Sequence, residues 1–172
     1  MINLALAAAL TCIATYTDLT SMKIYNKHVA AFFVLGVLSV GWQGQYSLLI
    51  SAGLIFILYL FFYAGGRTMS GIAMNLGLSP IPDGKSPMGG GDVKLAVVLA
   101  LLIGHYPVLY GTLAGVILMV IWQGLKLWRC TGSPKAMADV ALGRIHAPAP
   151  FGPFLGVCSL GAALIMPGMI FA

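Results

Sequence analysis

The chain has 172 residues, 60% of them hydrophobic and only 8% charged, with a mean hydropathy of +0.98. A soluble domain carries about a quarter charged residues, so this composition excludes one and calls for a chain that lies mostly in lipid. Nine Lys and Arg stand against four acids, all Asp, for a net charge of +5. The basic residues sit in short breaks beside apolar runs, which makes anionic lipid head groups their partners rather than nucleic acid.

Ile2–Tyr16 is apolar apart from Asn3 and its threonines, and Thr17-Asp18 closes it. It has no basic segment ahead of it and no clear cleavage site behind, so it reads as a retained first span and not a removed signal peptide. A polar break with Lys23, Lys27 and His28 follows. Val29–Trp42 is a second apolar run, ended by Gly41 and Gly44, and Ser47–Tyr63 is a third. The longest break, Gly65–Gly91, is rich in Gly and Pro and carries Arg67 and Lys85. Val93–Ile103 and Val108–Leu125 are the fourth and fifth runs, and Phe151–Phe171, after the polar stretch Lys126–Pro150, is the sixth.

The expected fold is an all-α membrane protein of about six transmembrane helices forming a single membrane-embedded domain, 1–172. The spans fall near 2–18, 28–43, 47–64, 92–104, 107–126 and 150–171, with breaks at 19–27, 65–91 and 127–149. Crossing about 30 Å of hydrocarbon takes about 20 residues, and the second and fourth runs fall short of that. The shortness of Val93–Ile103 suggests that Asp92 lies below the head-group plane in a wet cavity. Non-helical backbone at Gly89–Gly91 is tolerated at that depth only where protein or water satisfies it.

Six spans put the first, third and fifth breaks on one side. Those breaks hold Lys23, Lys27, Arg67, Lys85, Lys126, Arg129, Lys135 and Arg144, whereas Gly44–Tyr46 and Gly104–Pro107 hold no Lys or Arg. The positive-inside rule then puts the basic side, with Asp18 and Asp92, at the cytoplasm and both termini outside, in a multi-pass cell (inner or plasma) membrane protein. Ser133–His146 carries Met137, Val140, Ala141 and Ile145 at helical spacing, and reads equally as a short interfacial helix or a solvated loop.

Chemistry concentrates at Gly89-Gly90-Gly91-Asp92, where the polar break meets the fourth run. An acid at the mouth of a membrane helix is costly without a function, and three glycines clear the approach to it. Asp18, at the end of the first run, is the other acid in a comparable position. Two neighbouring carboxyl groups cannot easily both ionise, so one holds a proton while the other holds charge, which is what water activation and amide protonation need. Taken singly, Asp18 could cap its loop and Asp92 could be an N-cap of the fourth span. Asp83, in Pro82-Asp83-Gly84, reads as a turn residue, and Asp139 as a solvated one.

Other chemistries find less support. Cys12, Cys130 and Cys158 are odd in number and lack CxxC spacing, and there is no HExxH, so neither a metal nor another cofactor is expected. His28, His105 and His146 are scattered, His105 on the opposite side, and no good candidates for a Ser–His pair are evident. The glycines are no phosphate loop, since the Lys-Ser/Thr of that motif is missing.

Gly89-Gly-Gly-Asp-Val-Lys-Leu95 resembles the GxGD motif of the type IV prepilin peptidases, membrane aspartyl proteases. Asp18-Leu-Thr-Ser-Met-Lys-Ile-Tyr-Asn26 resembles the family's first-aspartate segment, with Tyr25 where the family has Pro, and Pro150-Phe-Gly-Pro-Phe-Leu155 resembles the opening of its last span. The resemblance implies the GxGD aspartyl protease architecture and cleavage of a short basic leader from a pilin-like precursor at the cytoplasmic membrane face. Asp18 and Asp92 are then the catalytic pair, and Gly89, Gly90, Gly91, Lys94, Asn26, Pro150, Phe151, Gly152 and Pro153 shape the site or meet substrate. Asn26 is expected to bond within the first loop, and Lys94 to snorkel to head groups or to touch substrate. The short length, without the extra cytoplasmic domain of larger members, resembles the Flp (tight-adherence) branch, so peptidase activity without N-methylation is expected. Two other classes fit the same acids: a small proton-coupled transporter, which would want acids at mid-span, and an inactive scaffold for pilus assembly.

Overall fold

The computed structural model describes residues 2–21, 24–75, 89–132 and 151–166, with the side chains of 66–75 excepted. The expectations placed on Lys23, Asp83, Lys85, Lys135, Asp139, Arg144, His146, Pro150 and the Ser133–His146 segment fall outside the described residues. Within them the chain forms six helices and no strand: α1 (Ile2–Ser21), α2 (Asn26–Gln43), α3 (Ser47–Asn75), α4 (Gly90–Ile103), α5 (His105–Thr131) and α6 (Phe151–Ile165). Ile2–Ser21, Ser47–Gly65 and His105–Thr131 are long and apolar enough to cross a membrane, and α6 is apolar but shorter. This is a membrane protein.

The helix α4 is the axis of the bundle and packs against each of the other five. Its run Leu95-Ala-Val-Val-Leu-Ala-Leu-Leu-Ile103 is apolar on every side, and a helix of that kind must be enclosed. Leu95, Ala96 and every residue from Leu99 to Ile103 are fully buried. The surrounding helices bury one stripe each. In α1 the stripe is Asn3, Ala7, Leu10, Thr11, Ala14, Thr17 and Asp18, and in α2 it is Val29, Gly36 and Val40. Their other faces carry large exposed apolar side chains, among them Phe33, Leu38, Phe61, Leu113 and Ile165, as a lipid-facing surface requires.

Small residues set how closely the helices approach. A Cβ added at Gly111 of α5 would lie 2.5 Å from the backbone N and Cα of Ser159 in α6, and one at Gly115 would lie 3.2 Å from the Phe154 carbonyl carbon. These two glycines four residues apart form a slot for α6, the small-residue packing that substitutes for hydrophobic drive inside lipid. Gly36 lets Leu101 of α4 against α2 in the same way.

The contacts also order the ends. Asp18 at the close of α1 bonds Gly152 at the start of α6, and Lys94 at the start of α4 bonds Asn26 at the start of α2. These residues share one end of the bundle. Tyr59–Thr112 and Ser51–His105 hydrogen bonds align α3 with α5, so Lys126 and Arg129, late in α5, point toward that same end. At the other end Asn3 donates to Gln45 at 3.3 Å and accepts from Gln43 at 3.1 Å and from Ser39. There α2 stops in a Schellman turn: Gly44 takes φ 67°, and Gln45 N–H reaches the Val40 carbonyl at 3.1 Å.

Several helices run past their apolar runs, whereas α6 stops at Ile165, inside the run Phe151–Phe171 and short of the expected span 150–171. The first helix continues past Asp18 to Ser21, α3 passes Gly65-Gly66-Arg67 and ends at Asn75, and α5 continues to Thr131. Loss of apolarity marks where lipid contact is no longer required, whereas the hydrogen-bond ladder stops only where a breaker interrupts it. The glycines before Asp92 are likewise not all extended: Gly89 is the N-cap, with φ −70° and ψ 140°, and Gly90 and Gly91 open α4.

Candidate active site

Asp18 lies in the last turn of α1, where the carbonyl end of the helix disfavours negative charge. Its side chain is nonetheless only 7% exposed. The first turn of α6 supplies the compensation: the Gly152 backbone N–H donates to Asp18 Oδ2 at 3.1 Å. That amide is one of the four N–H groups that a helix start leaves without an internal partner. An acid from one helix is thus seated on the positive end of another.

Asp92 is the third residue of α4, not its N-cap, and it is partly exposed. Its carboxyl folds back over the helix start, where the Gly89 backbone N–H donates to it. A Cβ on Gly89 would lie 3.0 Å from Asp92 Oδ2. This is the returning half of a capping box, in which the third residue reaches back to the cap amide. It has no reciprocal half, because Gly89 has no side chain. The two carboxyl groups therefore occupy equivalent places at the N-termini of α6 and α4, near enough that the charge of Asp18 is felt at Asp92.

Ile24, which the sequence reading passed over, fills the space between the two helix starts. A Cβ on Gly91 would meet Ile24 Cβ at 3.1 Å, and one on Gly152 would meet Ile24 Cδ1 at 3.1 Å and Asp18 Oδ2 at 3.0 Å. Gly91 and Gly152 are therefore bare because one isoleucine packs on both. Ile24 shares its short break with Leu19, Met22 and Tyr25, so nothing in the sequence singles it out. Among the described residues nothing lies within 4 Å of a Cβ added at Gly90.

The remaining expected site residues divide. Asn26 bonds across to α4 instead of within the first loop: Lys94 Nζ donates to Asn26 Oδ1 at 2.8 Å. Phe151 is half-buried against the main apolar core, and Pro153 stands in the first turn of α6, where a missing N–H costs little. Far from the carboxyl pair, Ser51 Oγ lies 2.9 Å from His105 Nδ1, a Ser–His pair that sequence spacing does not reveal. Ser51 is 3% exposed and also donates to the Ser47 carbonyl at 3.1 Å, so the pair is a polar tie between α3 and α5. Among the described residues no three His, Cys, Asp or Glu side chains gather in one place.

Each carboxyl group has a backbone N–H at a helix start, and the charge of Asp18 raises the cost of ionising Asp92. Such a pair can take a proton from water and return one to a leaving group. No curated protein and no solved structure matches the chain. The family model of the type IV leader peptidases matches residues 5–124, which take in both Asp18 and Asp92 and end within α5, before the Gly152 turn. The chain belongs to the type IV leader peptidase family.

Proposed function

We propose that the protein is a membrane aspartyl endopeptidase that removes the short basic leader of Flp-like prepilins at the cytoplasmic face of the cell membrane. The observation that carries this reading is that Asp18 and Asp92, 74 positions apart in the chain, stand at one end of the bundle on the starts of α6 and α4. One carboxylate removes a proton from water as the oxygen attacks the scissile carbonyl. The other carboxyl, holding its proton, gives it to the carbonyl oxygen; as the C–N bond breaks, the proton taken from water passes to the departing amine and a hydroxyl proton of the tetrahedral intermediate returns to the pair. Neither role is assigned to a fixed residue, since the proton belongs to the pair.

Support for the cytoplasmic placement comes from the bundle end that Asp18 and Asp92 share with Lys27, Lys94, Lys126 and Arg129, against the uncharged Asn3, Gln43 and Gln45 at the other. Both termini then face away from the cytoplasm. The test is leader removal from a purified precursor in membranes, followed on a gel. Asp18→Asn and Asp92→Asn should each lower the cleavage rate by about a thousandfold or more, the scale at which a nucleophile-activating group is lost. Cleavage by both variants at the parent rate would remove the pair from the chemistry.

A further inference from the structure

Between Asp18 and Asn26 the chain touches the starts of α4 and α6 three times. Asp18 accepts from the Gly152 N–H at 3.1 Å, Ile24 packs on Gly91 and Gly152, and Asn26 accepts from Lys94 Nζ at 2.8 Å. The middle contact reaches both helix starts at once, and Gly91 and Gly152 are each the second residue of their helix. Ile24 uses its length to do so. A Cβ on Gly91 would meet Ile24 Cβ at 3.1 Å, and a Cβ on Gly152 would meet Ile24 Cδ1 at the same distance. Two C–C bonds separate those carbons, about 2.5 Å end to end. Branching at Cβ leaves χ1 stiff, so the spacing is held with little give. The backbone is held as well: the next residue, Tyr25, caps α2, and its carbonyl accepts from the His28 N–H at 3.1 Å. The side chain itself is half-buried against the main apolar core.

We propose that Ile24 is a positioning residue, a rigid spacer between the starts of α4 and α6 that fixes the separation of the Asp18 and Asp92 carboxyl groups for the reaction. The proposal rests on the peptidase reading above. Each carboxyl hangs on a backbone amide of a helix start that Ile24 touches, Asp18 on Gly152 and Asp92 on Gly89. The distance between the two starts therefore sets the distance between the acids. Having no polar atom, Ile24 acts only through those starts. A mere filler of the gap would serve equally well with its branch at Cβ or at Cγ, whereas a spacer that meets one helix with Cβ and the other with Cδ1 would not.

Variants of Ile24 in liposomes, read for kcat and KM on a purified precursor, test this, with a thermal melt of each in detergent. Ile24→Leu keeps every carbon and moves only the branch, a kind of swap that costs little stability. The expected result is a Tm near the parent's with kcat about tenfold lower, the scale of a shift of a few tenths of an ångström at reacting groups. Ile24→Ala loses the reach to Gly152 altogether, and kcat should fall about a hundredfold while KM stays within about twofold. Either variant at the parent kcat, or a rise in KM with kcat unchanged, overturns the proposal. Rescue is the second readout. Ile24→Val removes Cδ1 alone, the atom that a methyl from Gly152→Ala would crowd. The double variant should cleave about threefold or more faster than Gly152→Ala alone, and additive losses in kcat overturn the spacer. A parent protein that leaves the precursor uncut fails the peptidase reading instead. The melts tell the two failures apart: non-additive changes in Tm across the same cycle uphold the Ile24–Gly152 contact without any substrate, and additive changes overturn it.

Discussion

Gly152→Ala separates the needs of the fold from those of the site at a single atom. The new methyl lies 3.0 Å from Asp18 Oδ2 and 3.1 Å from Ile24 Cδ1, both inside ordinary van der Waals contact, so each neighbour must give by a few tenths of an ångström. The end of Ile24 can rotate. The Asp18 carboxylate cannot move freely, because the Gly152 N–H holds it at 3.1 Å. Alanine in a helix is favoured over glycine by about 0.5–1 kcal/mol, and mild overpacking costs about 1–3 kcal/mol, so net stability should change by no more than about 2 kcal/mol. The reaction is more sensitive: a misplacement of about 1 Å costs about a hundredfold, and a few tenths should cost about tenfold in kcat. Purified protein in detergent supplies a thermal melt, and the same preparation in liposomes supplies the cleavage rate. A kcat at the parent level would show that the Asp18–Gly152 contact does not position the carboxylate. A large fall in Tm would show that Gly152 is a packing residue.

Two further substitutions probe the frame. Gly111→Ala drives a methyl to within 2.5 Å of the Ser159 backbone, which yields only if α6 moves as a whole, so a loss of about 1–3 kcal/mol or more is expected in the melt. Gly161→Ala, with nothing within 4 Å, should leave Tm unchanged or slightly raised, and equal effects of the two would refute the slot. Asn3→Leu removes the group that links Ser39, Gln43 and Gln45 and should cost about 0.6–2 kcal/mol of stability while cleavage is retained, because the cluster lies at the end opposite Asp18. Loss of cleavage at unchanged Tm would contradict that separation.

The apolar runs announced the helices because lipid demands apolar faces along the whole length of a span. They were silent on helix ends, where α3 continues through Gly65 and Gly66 in a stretch that lipid does not constrain. Asp92 and its glycines stood out through charge and composition. That the carboxyl is a third-residue capping group over Gly89, and not itself the cap, depends on where the ladder begins, and three glycines leave that start open. The pairing of Asp18 with the Gly152 amide joins residues 134 positions apart through a backbone donor, and a backbone N–H has no letter in a sequence. The same is true of Ile24, whose role comes from two bare neighbours in other segments, and of Ser51 and His105, which meet only because α3 and α5 run side by side.

The short central helix ties these observations together. With 14 residues α4 covers about 21 Å, less than the hydrocarbon thickness of about 30 Å, while the 27 residues of α5 beside it cover about 40 Å. An enclosed helix shorter than the bilayer must end below the surface on at least one side. We propose that the recessed end is the one at Asp92, since at the other end Gly104 joins α4 directly to α5. A carboxyl at such depth needs donors that do not depend on bulk water, and the starts of α4 and α6 provide them through Gly89 and Gly152. The brevity of the central helix, the bare glycines and the opposed helix starts are then parts of one arrangement. On the peptidase reading proposed above, it presents two acids to a scissile bond at the membrane.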